Sequence, residues 1–363
     1  MDVLALVLAA AAMVMFAFAA SGRELRRFNE IALGLVFLTA ALIRPDPAGF
    51  CEDDRVADRS PAHGFRDDDQ TRRLLRSRPP PQALAWAGAR LGGPVVSARA
   101  LRGGMSSAVH LVTVQRPGGR REHAVLRRYV RPDPDEPDPA AREARALRVA
   151  GMADVPTPVL LAVDPDGTEA GVPALLMTRL PGRVDWWPAD LDRWLERLAG
   201  LLPRIHGTGL PPGDIIPRFA PYRQENYRPP GWARYPRVWD RAVGISLGPA
   251  PDLPAVLLHR DYHPGNVLWR RGRVSGVVDW LGACAGPAAA DVAHCRLNLL
   301  TMGTEVVERF TALWERAAGT AYHPWGDVVT VVGFLDDLHE DWGPERLLVE
   351  DMLARAVAGL GGG

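Results

Sequence analysis

One stretch limits what this 363-residue chain can become: His259-Arg260-Asp261-Tyr262-His263-Pro264-Gly265-Asn266, with Asp279 thirteen residues after Asn266. Val267-Leu268-Trp269 reads as a strand, Arg270-Arg271-Gly272-Arg273 as a turn, and Val274-Ser275-Gly276-Val277-Val278 as a second strand ending at Asp279. A loop carrying an acid and an amide thus leads into a hairpin whose far end carries another carboxylate. Asn266 and Asp279 would reach one ion from adjacent strands.

These residue types suit phosphoryl transfer. Magnesium is a hard cation that takes oxygen ligands and keeps waters and phosphates in its shell beside one or two protein groups. Asn266 and Asp279 are the expected metal ligands, and Asp261 in the loop is the expected catalytic group, orienting a hydroxyl and taking its proton. A lone His-x-Asp is common, and an Asp after a strand often only forms a turn. The ordered set of loop, amide, hairpin and second carboxylate carries the argument.

With these residues quoted, the chain resembles the aminoglycoside phosphotransferase family, the small-molecule branch of the protein-kinase-like fold. The likeness runs from about Gln82 to the C-terminus and is strongest over Leu257 to Leu299. Leu258 to Leu268 resembles the catalytic loop, Val278-Asp279-Trp280 the metal-binding strand end, and Gly286-Pro287 through Asp291-Val292-Ala293 the Gly-Pro and Asp-x-Ala run. The resemblance implies an α+β, protein-kinase-like two-lobed fold. A small N-terminal antiparallel-sheet lobe with one helix would cover residues 82–180, and a larger, mainly helical lobe, catalytic and acceptor-binding, residues 181–363. It further implies Mg2+, ATP or GTP as co-substrate, a small-molecule hydroxyl as acceptor, and structural support of the catalytic loop by Asp291. His259 is expected to fix the same loop through backbone hydrogen bonds.

Upstream, Val95 to Leu101 and Val109 to Val114 read as strands around Gly103-Gly104-Met105-Ser106-Ser107-Ala108. Backbone amides at such a tip can cradle phosphates, which makes Gly103, Gly104, Ser106 and Ser107 nucleotide-binding candidates, although the same composition also makes an ordinary turn. The next strand, His123 to Tyr129, places Arg127 where relatives carry lysine, and the helix Pro139 to Ala150 contains Glu143. In kinase-like folds the basic residue on this strand contacts the α- and β-phosphates and pairs with a glutamate on this helix. Arginine is a planar fork and lysine a point charge, so the exchange matters at a tight site. All 43 basic residues of the chain are arginine, however, and a guanidinium binds phosphate bidentately, so Arg127 is read as a working substitute.

The absence of lysine excludes Schiff-base chemistry and a Gly-Lys-Ser phosphate loop. Equal numbers of acidic and basic residues, 43 of each, argue against nucleic acid as a partner. Cys51, Cys284 and Cys295 have no paired metal-ligand spacing and read as free thiols in a reducing compartment. Thr178 to Gly182 resembles the hinge. Leu191, Trp194, Leu195, Leu198, Leu201 and Ile205 recur at helical spacing and read as core, with Pro203 expected to kink or break that helix.

Residues 1–44 lie outside the likeness. Leu4 to Ala20 is nearly long enough to span a bilayer, and the following arginines would stay inside, so membrane association through residues 4–20 of an otherwise cytoplasmic enzyme is one expectation. The other is an apolar extension from a start set too far upstream. Residues 45–81, rich in Pro, Asp and Arg, read as a disordered linker.

For the acceptor, Asp336, Asp337, Glu340 and Asp341 form a candidate acidic cluster, for which a solvated helix face is the favoured reading, and Trp232, Tyr235 and Trp239 read as a pocket cap or as packing. Two other readings stand beside the kinase. One is a catalytically silent pseudokinase that binds nucleotide or a partner as a scaffold, motivated by Arg127 and by Leu281 where relatives place a carboxylate. The other is a membrane-tethered interaction protein.

Overall fold

The computed structural model describes residues 69–101, 107–131, 136–213, 215–221, 224–335 and 344–361. The apolar run 4–20 and residues 45–68 of the expected linker lie outside them, as do Gly103, Gly104 and Ser106 and the acidic residues Asp336, Asp337, Glu340 and Asp341. No helix among the described residues is long and apolar enough to cross a membrane.

Alternation with a period of two builds the first lobe. In β2 (Ala108–Gln115) every second residue, Ala108, His110, Val112 and Val114, is buried. It pairs antiparallel with β1 (Val95–Ala100) and β3 (Arg121–Arg128), and β3 pairs with β5 (Ala174–Thr178), which pairs with β4 (Leu160–Asp164). The sheet order is β1-β2-β3-β5-β4. One face, through Val112, Ala124, Leu126 and Leu176, packs on Ala83, Trp86 and Ala87 of helix α2 (Pro81–Leu91). The other face carries Arg127 toward helix α3 (Pro139–Ala150), which starts on Pro139 at its first turn.

The expected linker ends earlier than residue 81. Asp69–Arg76 forms helix α1, its Leu75 is buried, and the buried His110 of β2 reaches the Ser77 carbonyl from Nε2 at 2.9 Å. A buried leucine and a hydrogen bond from a strand histidine help to dock a segment whose composition alone predicts disorder.

Strand β6 (Arg183–Val184) follows the hinge and joins β8 (Val267–Arg270) and β9 (Arg273–Val277) in a three-stranded sheet. Only Arg271 and Gly272 form the turn between β8 and β9, both left-handed at φ 52° and 67°, which suits the twist of a two-residue hairpin. Gly182 in the hinge has φ 114°, and a Cβ there would lie 2.3 Å from Ser275 Oγ. Strand β7 (Ala255–Leu258), just before the loop His259 to Asn266, pairs with β10 (Cys284–Pro287).

Helix α4 (Leu191–His206) buries Trp194, Leu195, Leu198, Leu201 and Ile205. It runs through Pro203 without the expected break: the proline has no N–H to offer the Ala199 carbonyl, and the helix ends three residues later at His206. Helix α5 (Pro236–Leu247) and α9 (Pro344–Gly359) close on Trp239, which is fully buried and donates from Nε1 to Glu350 at 3.0 Å. Trp232 packs edge-on against Trp239, and Tyr235 bonds Asp351, so these aromatics are packing residues. Helices α6 (Ala289–Leu299), α7 (Thr304–Ala318) and α8 (Trp325–Gly333) complete the lobe.

The core reaches this loop directly: Tyr262 is fully buried and its hydroxyl donates to the Leu198 carbonyl at 2.7 Å. Leu198→Ala is expected to lower stability by about 2–5 kcal/mol, the range for a buried leucine whose site cannot fully collapse. Urea unfolding monitored by tryptophan fluorescence measures it.

Candidate active site

The loop is fastened by one buried carboxylate. Asp291, in the first turn of α6, accepts from the backbone N–H of His259 at 2.9 Å, from that of Arg260 at 2.6 Å, and from His206 Nε2 at 3.0 Å. These bonds hold Arg260 in the left-handed region at φ 69°, a conformation that non-glycine residues rarely adopt without support. Burial pushes the Asp291 carboxyl up, yet the donors from His206 and His259 hold it below its ordinary value. His259 is buried in turn, with Nε2 donating to the Val278 carbonyl at 2.9 Å. That bond links the loop to the strand end carrying Asp279.

Asp261 projects from this frame with its side chain 45% exposed, which leaves it accessible to a substrate. Its Oδ2 accepts from Asn266 Nδ2 at 2.8 Å, and the same amide group also donates to the Asp261 carbonyl at 2.8 Å. Its Oδ1 lies 3.0 Å from His294 Nε2 and 3.7 Å from His263 Nε2. Desolvation raises the Asp261 pKa, but His263 and His294 together hold the carboxyl well below the usual carboxylate range. Burial takes His263 down to about 4, so at neutral pH it is uncharged.

Across the cleft, Arg127 is buried on β3 and reaches three partners: Ser107 Oγ from Nε at 2.7 Å, Glu143 Oε1 from Nη1 at 2.9 Å, and Asp279 Oδ1 from Nη1 at 2.6 Å. Glu143 also accepts from the Tyr129 hydroxyl, and burial pushes the Glu143 carboxyl up against the pull of Arg127. Ser107, expected at the phosphates, accepts from the guanidinium at its hydroxyl oxygen, which leaves its own O–H able to donate. Asp279 sits at φ 66°, a second left-handed residue beside the hairpin.

The oxygen set fits a hard cation. Both N–H groups of the Asn266 amide are spent on Asp261, which leaves its side-chain oxygen as the atom able to meet a cation, on a residue whose backbone carbonyl accepts from the N–H of Val278, the neighbour of Asp279, at 2.9 Å.

A loop acid, an amide, a strand-end acid and a basic residue paired with a helix glutamate converge here, and the profile of the phosphotransferase enzyme family matches residues 97–327, well over half the chain. The chain belongs to the phosphotransferase enzyme family. Curated relatives of this phosphotransferase include mouse acyl-CoA dehydrogenase family member 10, 25% identical over 171 residues, covering 42% of this chain and 16% of that protein. Glucosamine kinase of Streptacidiphilus jiangxiensis is 29% identical over 235 residues, covering 52% of each protein. The chain thus spans about half or less of these relatives.

Solved structures share the kinase-like fold. An aminoglycoside phosphotransferase in ternary complex with AMP-PNP and hygromycin B superposes with a TM-score of 0.52 at 17% identity, over 77% of this chain and 99% of that one. An amicoumacin kinase in complex with AMP-PNP and Ca2+ gives 0.51 at 16% identity, over 78% and 96%.

From the sequence His294 stands out only beside Cys295, as a faint metal-site candidate, and neither His294 nor His206 is placed at the loop. A signal for His294 was present: it follows Asp291 by three residues in a helix, so both lie on one face, and a helix face that holds the loop with Asp291 presents His294 to the same loop. His206 carries no such local signal, since the fold alone brings the end of α4 to Asp291. Cys284 and Cys295 are buried, and burial pushes both thiols up, Cys284 to about 11.

Because the Asp291 carboxyl is lowered in the folded chain, its contribution to stability is complete above about pH 4 and falls away as acid approaches the depressed value. Asp291→Asn should therefore cost about 2 kcal/mol or more at neutral pH. The difference from the native chain should shrink below about pH 4. Urea unfolding of both proteins from pH 7 downward tests the sign.

Proposed function

We propose that this phosphotransferase moves the γ-phosphoryl group of ATP or GTP to a hydroxyl of a small molecule. The observation that carries the reading is the placement of a half-exposed Asp261, fixed by Asn266, in one cleft with Asp279 and the Arg127–Glu143 pair. The acceptor hydroxyl would hydrogen-bond Asp261. Its oxygen forms a bond to the γ-phosphorus while the bond from phosphorus to the β,γ-bridging oxygen breaks. The diphosphate leaves with that electron pair, and the hydroxyl proton passes to Asp261. A carboxylate as weakly basic as Asp261 takes that proton late, which suits a loose transition state in which positioning and charge stabilisation dominate.

Asn266 and Asp279 would hold Mg2+, which when bound screens the phosphate charge. Arg127 would address the α- and β-phosphates with its planar fork, steadied by Glu143 and Ser107. Residues 82–180 would act as the nucleotide-binding lobe and 181–363 as the catalytic and acceptor-binding lobe, working on nucleotide of the cytoplasm. Because one relative is a glucosamine kinase, an amino sugar is the first acceptor to try.

The direct ion pair between Arg127 and Asp279 favours a second reading, a silent nucleotide binder in which the guanidinium competes with the cation for Asp279. Thermal stabilisation of the whole chain by ATP and by GTP, each with and without Mg2+, followed by nucleotide consumption over an acceptor panel that includes glucosamine, separates the two. The kinase reading expects a Mg2+-dependent rise in Tm and acceptor-dependent turnover. Stabilisation without turnover on any acceptor supports the silent binder.

Asp279→Ala should lower kcat about a hundredfold or more, as removal of a transition-state charge partner does elsewhere. Circular dichroism would check that the variant folds, and unchanged turnover would remove the assigned role. Arg127→Met should raise the KM for nucleotide about tenfold or more, and Arg127→Lys should recover part of the loss, because a point charge restores attraction without the fork.

A further inference from the structure

His294 has no place in the chemistry assigned so far, yet its position sets it apart. It lies in the middle of α6, 8% exposed, with Nε2 3.0 Å from Asp261 Oδ1. Its ring lies 5.4 Å from that of Phe334 and 5.8 Å from that of His263. The same ring lines a small cavity next to the catalytic loop, together with Phe219, Arg260, Val329, Thr330 and Phe334. It is therefore the wall between that cavity and the catalytic carboxylate.

Two chemistries fit three convergent ligand atoms on Asp261, His263 and His294, which all lie within 4.8 Å of one another. One is a transition-metal site of two imidazoles and a carboxylate. The hydrogen bonding argues against it. The backbone N–H of Gly265 donates to His263 Nδ1 at 3.2 Å, so Nδ1 is the unprotonated nitrogen and the proton of the neutral ring sits on Nε2, the atom facing Asp261. A protonated nitrogen has no lone pair to offer a metal. At 3.0 Å from a carboxylate oxygen, His294 Nε2 must likewise carry a hydrogen, since two lone pairs at that distance repel.

We propose that His294 is a positioning residue of the phosphotransferase reaction: its Nε2–H donates to Asp261 Oδ1 and, with Asn266 on Oδ2, fixes the plane of the catalytic carboxylate toward the acceptor hydroxyl. Each oxygen of Asp261 has its own dedicated donor from a different element, Asn266 from the end of the loop and His294 from α6. A short aspartate side chain, about half exposed, would otherwise rotate among several rotamers, few of which aim an oxygen at the acceptor. Because Asp291 stands one helical turn earlier on α6, the helix that fixes the loop backbone also fixes the side chain that the loop presents. The inference rests on the reading of Asp261 as the group that receives the hydroxyl proton.

Two measurements test it on the full chain. The first needs no acceptor: long-range proton–nitrogen correlation on protein with labelled histidine rings reads the tautomer of His294. The proposal expects a proton on Nε2 and a change in that signal in Asp261→Asn. A His294 proton on Nδ1 with a bare Nε2, or a His294 signal indifferent to Asp261→Asn, overturns the proposal whatever the enzyme turns over.

The second is kinetic, with the best acceptor from the panel, or with water as acceptor through nucleotide hydrolysis. His294→Leu should lower kcat about tenfold or more while the KM for ATP stays within about twofold, since the loss is one of orientation at the reacting centre. His294→Gln, which keeps an N–H donor at similar reach, should recover most of the rate. In an Asp261→Asn background His294→Leu should cost nothing further. Equal losses for Leu and Gln, or an undiminished loss in the Asp261→Asn background, would show a merely structural role. A rise in Tm with Zn2+ alone that disappears in His294→Leu would overturn the donor reading in favour of the metal site. Loss of the Asp279 effect with the His294 result intact would instead count against the kinase reading of the cleft.

Discussion

Everything in the cleft hangs on a carboxylate that no solvent reaches. Asp291 accepts two consecutive backbone amides and one imidazole, and those three donors compensate the cost of keeping an ionised group in the interior. What is obtained in return is a backbone held where it would not rest alone, with Arg260 left-handed and Asp261 turned outward. The His259 side chain carries the constraint onward to the Val278 carbonyl, so that the second left-handed residue, Asp279, belongs to the same framework. Two strained residues on one hydrogen-bonded frame are a physical reason for the site to be rigid before any substrate arrives.

The opposite wall obeys a different logic. Arg127 is buried with Glu143, and an isolated pair of that kind contributes little net stability, because desolvation offsets most of the attraction. The guanidinium gains by reaching further, to Ser107 through Nε and to Asp279 through Nη1. A lysine has a single nitrogen and no fixed fork, so it could not hold the same three partners in the same geometry. In a chain whose basic residues are all arginine, the composition has been turned into a distinct arrangement rather than a simple replacement.

Much of this was legible beforehand because the informative signals are local. The hairpin from Val267 to Val277 follows from strand residues around Arg271-Gly272, and α3 begins at Pro139 and ends at Ala150 as its pattern requires. The closeness of Asp261 to Asn266, and the place of Asp279 at the far end of the hairpin that follows, were readable from their order along the chain. What could not be read depends on distant partners. The docking of α1 rests on Leu75 and on His110, more than thirty residues away, and composition says nothing of either. Trp239 was ambiguous because only the fold brings Glu350 to its indole. The tolerance of Pro203 depends on where the helix stops, and boundaries are the weakest part of any pattern reading.

The bond between Arg127 and Asp279 joins the sheet lobe to the helical lobe. A polyanion entering the cleft would draw the guanidinium away from Asp279 and free that carboxylate in a single exchange of partners, so that the latch opens as the ligand that needs it opened arrives. The clasp itself should follow ionic strength only weakly, because it is sheltered from screening on the Arg127 side, where the guanidinium is only 5% exposed.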